Sequence, residues 1–343
     1  MKVLITGGAG FIGCNSAARF LRRGDEVVVI DNLSRPGTPS NLEWLQIQSK
    51  GTQGKVTFVK MDIENAQGLD RAVADHADCD LVLHLAGQVA VTSSVVNPRA
   101  DFNANLLGTF NMLEAVRKRA PKVVFIYSST NKVYGGMEDH GVTLRDGRYA
   151  YSDLPNGVDE SVQLDFHSPY GCSKGGADQY VRDYHRIYGL RSVVFRQSCI
   201  YGYRQFGLED QGWVAWFTIA SQLQRPIALY GDGRQVRDIL FVDDLVDAYE
   251  AAYARIDQVA GQVFNVGGGP SNTISLLDLL EFLGQKQGAA VPFKQMDWRP
   301  GDQRVFVSDN RRAASKLGWT PKTSWQKGLE LLYAWIADNK KLF

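Results

Sequence analysis

Cysteine is scarce in this chain, with four in 343 residues at Cys14, Cys79, Cys172 and Cys199. None falls in a CxxC pair or another metal-ligand spacing, which argues against a disulfide-stapled scaffold or a metal centre and fits a reduced, cytoplasmic setting. Charge of one sign is missing too. A net charge of +1 gives no global pull toward nucleic acid or an anionic membrane, so any anion site must be built locally. No apolar run approaches the length of a bilayer span, and there is no internal repeat or low-complexity tract. The sequence enters a strand-like run at its second residue, with no basic segment, apolar stretch and cleavage site before it, so no secretory leader is expected. What remains is a chain 44% hydrophobic, enough to bury a sizeable core in one large or two modest domains.

The first thirty-one residues are the most informative. Lys2 to Thr6 reads as a buried parallel strand, Gly7-Gly8-Ala9-Gly10-Phe11-Ile12-Gly13 turns into a helix, and Glu26 to Ile30 is a second strand ending at Asp31. Gly7 permits the tight turn, Gly10 lets the backbone approach a pyrophosphate, and Gly13 lets helix and strand pack closely, while the helix N-terminus offers free amides. Such a triplet alone is weak. Strand before, helix after, and an acid closing the next strand make it a dinucleotide-binding signature. Asp31 pairs with two ribose hydroxyls and repels a 2′-phosphate, which favours NAD over NADP.

Strand-like runs recur at Val56 to Met61, Leu81 to Leu85, Val123 to Ser128 and Ser192 to Phe195. Between them lie helix-periodic segments at Gln67 to Asp75, Ala100 to Arg119 and Tyr170 to Tyr188. This alternation predicts an α/β fold, a Rossmann doubly wound parallel sheet. Beyond Arg196 the pattern loosens into helices near 213–223, 243–255, 275–287, 310–317 and 325–339, with short strands near 227–229 and 235–240. The expected division is a Rossmann domain over 1–196, with later segments around 235–266 returning to it, and a smaller C-terminal α/β substrate-binding lobe over 197–343. Ligand should bind in the cleft between them. The polar, poorly periodic stretch Gly136 to Gln163 reads as a long functional loop.

Tyr170-Gly171-Cys172-Ser173-Lys174 places a phenol and an ammonium on one helix face, where the cation is expected to lower the phenol's pKa toward a value useful in proton transfer. Together with Gly7-x-x-Gly10-x-x-Gly13, Asp31, Asp62, Leu85-Ala86-Gly87, Ser128-Ser129-Thr130 and Val133-Tyr134-Gly135, this motif resembles the extended short-chain dehydrogenase/reductase family across essentially the whole chain. The resemblance implies Thr130, Tyr170 and Lys174 as catalytic residues, Tyr170 being the general acid and base and Lys174 also holding the nicotinamide ribose. It implies NAD contacts from Gly7, Gly10, Phe11, Ile12, Gly13, Asp31, Asn32, Ser34, Arg35, Asp62, Ile63, Leu85, Ala86 and Gln88. It also implies a nucleotide-diphosphate sugar as substrate, met by Gln88, Asn131, Lys132, His167, Gln197, Arg204, Arg237 and Arg299, and a homodimer or homotetramer.

The family hosts dehydratases, epimerases, decarboxylases and reductases, so fold does not decide chemistry. Its 4,6-dehydratases carry an Asp-Glu pair directly after the threonine, whereas this chain has Asn131 and Lys132, which disfavours elimination. The motifs Asp31-Asn32-Leu33-Ser34-Arg35, His84 to Ala90, Ser128 to Gly135, Pro155-Asn156-Gly157 and Gln163 to Lys174 resemble most the family's CDP-tyvelose (CDP-paratose) 2-epimerases. Gln197-Ser198-Cys199 and Arg299-Pro300-Gly301-Asp302 depart from that pattern, on the expected substrate side. The resemblance implies inversion at C2 through a transient 2-keto sugar. A 4-epimerase, a 4,6-dehydratase, or a 2-epimerase of another nucleotide-linked hexose such as GDP-glucose or GDP-mannose would share every cofactor residue. Among single residues, His84 is expected to be a core histidine, His167 is divided evenly between substrate contact and loop structure, and Cys172 is expected to pack facing away from Tyr170.

Overall fold

The computed structural model describes residues 1–299 and 302–343, so Pro300 and Gly301 of the expected substrate-side segment lie outside the described residues. Seven parallel strands form the main sheet: β1 (Lys2–Thr6), β2 (Glu26–Asp31), β3 (Lys55–Lys60), β4 (Leu81–His84), β5 (Val124–Thr130), β6 (Arg191–Gln197) and β7 (Val263–Val266). Their spatial order is β7-β6-β5-β4-β1-β2-β3. The central strands are buried on both faces, and so read as continuous apolar runs rather than alternating ones. One apolar layer joins helices Phe11–Arg22, Thr38–Lys50 and Val242–Ala254 to the sheet through Ala17, Leu42, Leu45 and Leu245. The opposite layer packs Leu69, Met112, Val116, Ala177 and Val181. Chain order reverses beside β1, which opens a crevice at the strands' carboxyl ends.

The smaller lobe is built on Val236–Phe241, which pairs with Cys199–Tyr201, Thr273–Ser275 and Val305–Phe306. Its core of Tyr201, Phe241, Ile274, Leu283 and Leu332 is separate from that of the main sheet. Within the segment expected to return to the sheet, only Val263–Val266 joins it as a strand, while Val236–Phe241 belongs to the small sheet.

Two elements differ from the sequence reading. The helix expected at 100–119 is interrupted by a π-helical turn at Asn103–Leu107, where Asn105 donates to Asp101 at 3.0 Å and to Ser173 at 3.2 Å, a buried polar network that displaces regular turns. The stretch 136–163 is not one long loop. Val142–Arg145 and Arg148–Tyr151 form an antiparallel hairpin across Asp146-Gly147, whose φ values of 49° and 77° are those of a type I′ turn. The hairpin docks on the small lobe through Tyr151, which donates to the Val305 carbonyl at 2.8 Å, and Tyr149, which donates to Asp232 at 2.7 Å.

Candidate active site

The glycine turn closes on itself. Gly7 has φ 66°, and a Cβ there would sit 2.8 Å from the Ala86 amide nitrogen; a Cβ on Gly13 would lie 2.1 Å from the Gly7 carbonyl oxygen. At Gly10 an added Cβ meets only that same carbonyl, at 3.1 Å, so the mouth of helix Phe11–Arg22 stays open. Asp31 ends β2 beside it, accepting from the Ala9 amide at 3.0 Å and the Leu33 amide at 2.8 Å. Burial raises the Asp31 pKa, opposed by those amides and that of Gly10. Asn32 donates to Asp62 at 2.8 Å, joining the ends of β2 and β3. Open helix mouth, fixed acid and the wall of Phe11, Ile12, Ile63, Leu85 and Ala86 fit a dinucleotide.

These residues line one cleft of about 760 Å³ that runs between the lobes. It takes in every expected site residue except His167, which immediately precedes helix Ser168–Tyr188 and lies 3.0 Å from Asp165, half exposed. Adjacency to Tyr170 in sequence does not carry His167 into the cleft, because the helix begins between them. Gln88 donates to the Ala90 carbonyl at 2.6 Å and leaves its buried amide oxygen unpartnered. Gln197 is held by Tyr249 at 2.8 Å.

Thr130 at the end of β5 and Tyr170 on helix Ser168–Tyr188 meet in the middle of this cleft, both buried. Burial pushes the Tyr170 phenol up to about 12, while the Thr130 hydroxyl and the Arg35 guanidinium favour its ionised form and Asp101 opposes it. Lys174 makes no hydrogen bond to the phenol. Its ammonium donates to the Ser128 carbonyl at 2.5 Å and lies 4.4 Å from the centre of the Tyr127 ring. Burial pushes Lys174 down to about 7, against the attraction of Asp101 and Asp178. Between that value and the ordinary 10.5 the unfolded chain holds a proton that the folded chain has released, so this site's contribution to stability rises with pH across that window. Lys174→Met is expected to flatten this part of a urea-denaturation stability curve measured from about pH 7 to 10; an unchanged slope would place Lys174 elsewhere.

The cations divide differently from the sequence reading. Arg237 is buried and donates to Asp302 at 2.7 Å, and Arg299 lies 3.9 Å above the Tyr230 ring, donating to the Glu209 carbonyl at 3.2 Å. Arg204, expected beside them on a diphosphate, lines the same cleft and sits 4.3 Å from the Trp44 ring and 5.9 Å from that of Trp335, where its charge acts on Cys14 of the glycine-loop helix. Lys132 donates to Gln303 at 3.2 Å and is pushed down to about 8 by burial and by Arg237. His84 is a core residue bonded to Thr6 at 2.7 Å and Thr109 at 3.1 Å, and burial lowers it to about 3. Cys172 is exposed rather than packed.

Sequence reading also missed the strap Gly207–Gly212. Leu208 and Gln211 exchange backbone bonds of 3.0 Å, Gln211 accepts from Arg35 at 2.9 Å, Asp210 accepts from Thr92 at 2.7 Å, and Glu209 accepts from Tyr230 at 3.0 Å. The strap thus bridges the two walls of the cleft. Flanking glycines were the one signal; its destinations lie far away in sequence.

A doubly wound sheet whose switch-point crevice holds a glycine turn, an acid closing the second strand and a Thr-Tyr-Lys set defines an extended short-chain dehydrogenase/reductase. The chain belongs to the GDP-mannose 4,6-dehydratase family, whose profile matches residues 4–332. It is 46% identical over 343 residues to the CDP-paratose 2-epimerase of Salmonella typhi, covering 98% of this chain and all of that one. Among solved structures it is similar to the UDP-glucose 4-epimerase of Thermotoga maritima with UDP-glucose (31% identity, TM-score 0.84, 99% and 100% of the two chains). A second is the UDP-glucose 4-epimerase of Thermus thermophilus in complex with NAD (30%, TM-score 0.82, 99% and 100%). No helix among the described residues is long and apolar enough to cross a membrane, and no cluster of metal-ligating side chains occurs among them.

Proposed function

We propose that the protein inverts C2 of a cytidine-diphosphate-linked sugar of the paratose type, with NAD as resident cofactor. The observation that carries this reading is the end-to-end likeness to a CDP-paratose 2-epimerase, joined to a cleft in which Asn131 and Lys132 follow Thr130. An amide cannot protonate a leaving hydroxyl, so the 4,6-elimination in the family's name lacks its acid here. C2 has no neighbouring carbonyl, because C1 is locked as a glycosyl phosphate, and its hydrogen is too weakly acidic for direct removal. Oxidation to a 2-keto sugar makes the centre planar. NAD, when bound, supplies a hydride acceptor that can return the hydride to the opposite face.

Tyr170 would take the proton of the 2-hydroxyl and later restore it, with Thr130 hydrogen-bonded to the same oxygen. Lys174 would hold the nicotinamide ribose, and Asp31 the adenosine ribose, repelling a 2′-phosphate. Arg237 and Arg299 would grip the diphosphate as the tether about which the keto sugar turns. Mixing the purified protein with CDP-paratose should give the C2 epimer by NMR with no net absorbance change at the reduced-nicotinamide band. A C4 epimer, or a 4-keto-6-deoxy product from CDP-glucose, would replace this reading with that of a 4-epimerase or a dehydratase.

A further inference from the structure

We infer that Lys132 selects the carbon at which the reaction occurs, by binding the sugar-proximal phosphate directly beside Thr130. The inference rests on the C2 reading above. C2 adjoins the anomeric carbon that bears the diphosphate, whereas C4 lies across the ring from it. When C2 stands at Tyr170, the phosphate must therefore fall next to the catalytic pair; when C4 stands there, it falls a ring's width away. The position of the nearest cation encodes which carbon is presented.

Among the cations on the small-lobe side of the cleft, Lys132 is the one that follows Thr130 by only two residues. Its backbone amide donates to the Thr130 hydroxyl at 3.2 Å, and its side chain lines the cleft with Arg237 and Cys199. Its ammonium donates to the Gln303 amide oxygen at 3.2 Å, and among the described residues no carboxylate lies within ion-pair distance of it. An ammonium offers three donors, so two remain for a ligand. A dehydrated cation without a counter-ion is costly unless an anion arrives to pair with it. Asp302 bonds Arg237 directly and reaches Lys132 only through space, so Lys132 has no carboxylate bonded to it. Gln303 is buried and turned by its own bond to the Gly135 carbonyl, which fixes the direction of Lys132. The lowered pKa of Lys132 fits an ammonium poised for an anion.

The test compares wild type, Lys132→Gln and Lys132→Arg on CDP-paratose, following C2 and C4 inversion separately by NMR and CDP affinity by calorimetry. Lys132→Gln is expected to lose about 100-fold in C2 inversion, as when one preorganised charge-stabilising donor is removed. CDP should bind it roughly tenfold more weakly, and its C4-to-C2 product ratio should rise. Lys132→Arg should keep most C2 inversion, which also shows that the site tolerates substitution. Gln303→Met, which frees Lys132 without removing its charge, should fall between them. Wild-type C2 inversion matched by Lys132→Gln would overturn the inference alone, as would a slower Lys132→Gln with unchanged CDP affinity. A wild-type protein that leaves C2 untouched would instead overturn the functional reading itself.

Discussion

Tyr170→Phe is expected to slow turnover by about 10²–10⁴-fold, the range for loss of a positioned acid–base group, while the protein stays folded and keeps its cofactor. The phenol is buried at the meeting point of β5 and helix Ser168–Tyr188, and its ring fills the same space as phenylalanine's. Only the hydroxyl is lost. Because burial outweighs the pull of Thr130 and Arg35 and leaves the phenol at about 12, the wild-type rate should climb as pH rises from neutrality toward that pKa. The variant should show no such limb. A Tyr170→Phe enzyme of wild-type activity and pH profile would remove Tyr170 from the chemistry.

Asp178→Ala is expected to cost about 3–5 kcal/mol of stability, because it leaves a charge buried and unpaired. Asp178 is fully buried on the helix that carries Tyr170 and Lys174. It accepts from Arg196 Nε at 2.9 Å and Nη2 at 3.2 Å, and from Ser129 at 3.0 Å, so one carboxylate ties the catalytic helix to β5 and β6 together. Arg196, held well above its ordinary pKa against burial by Asp178 and Tyr134, stays charged whether or not its partner is present. The double variant Asp178→Leu, Arg196→Met should recover most of the loss, since it buries no charge. Urea midpoints of the three proteins separate the cases; a single variant as stable as wild type would show that Arg196 finds another partner or water.

The sheet and the lining of the glycine-turn half of the cleft were legible because their determinants are local. Gly7 to Gly13 and Asp31 act through neighbouring backbone, and Tyr170 with Lys174 needs only one helical turn. The small-lobe side of the cleft was legible by residue type but not by partner. The two tryptophans against which Arg204 lies, Trp44 and Trp335, stand on helices far apart in sequence. Arg35 meets Gln211 across 176 positions, so nothing near it announced that its charge would act on Tyr170. The hairpin was missed for the opposite reason. Asp146-Gly147 between alternating strands is a local turn signal, hidden by the polar composition of 136–163.

The fate of the hydrogen on C2 separates hydride return from proton exchange. CDP-paratose is inverted to equilibrium in heavy water, and the product is examined for deuterium at C2. None is expected, because the hydrogen would leave C2 as hydride, which does not exchange with solvent, and return to the same carbon. Solvent deuterium at C2 in step with inversion would mean that a proton was exchanged there, and would contradict hydride return.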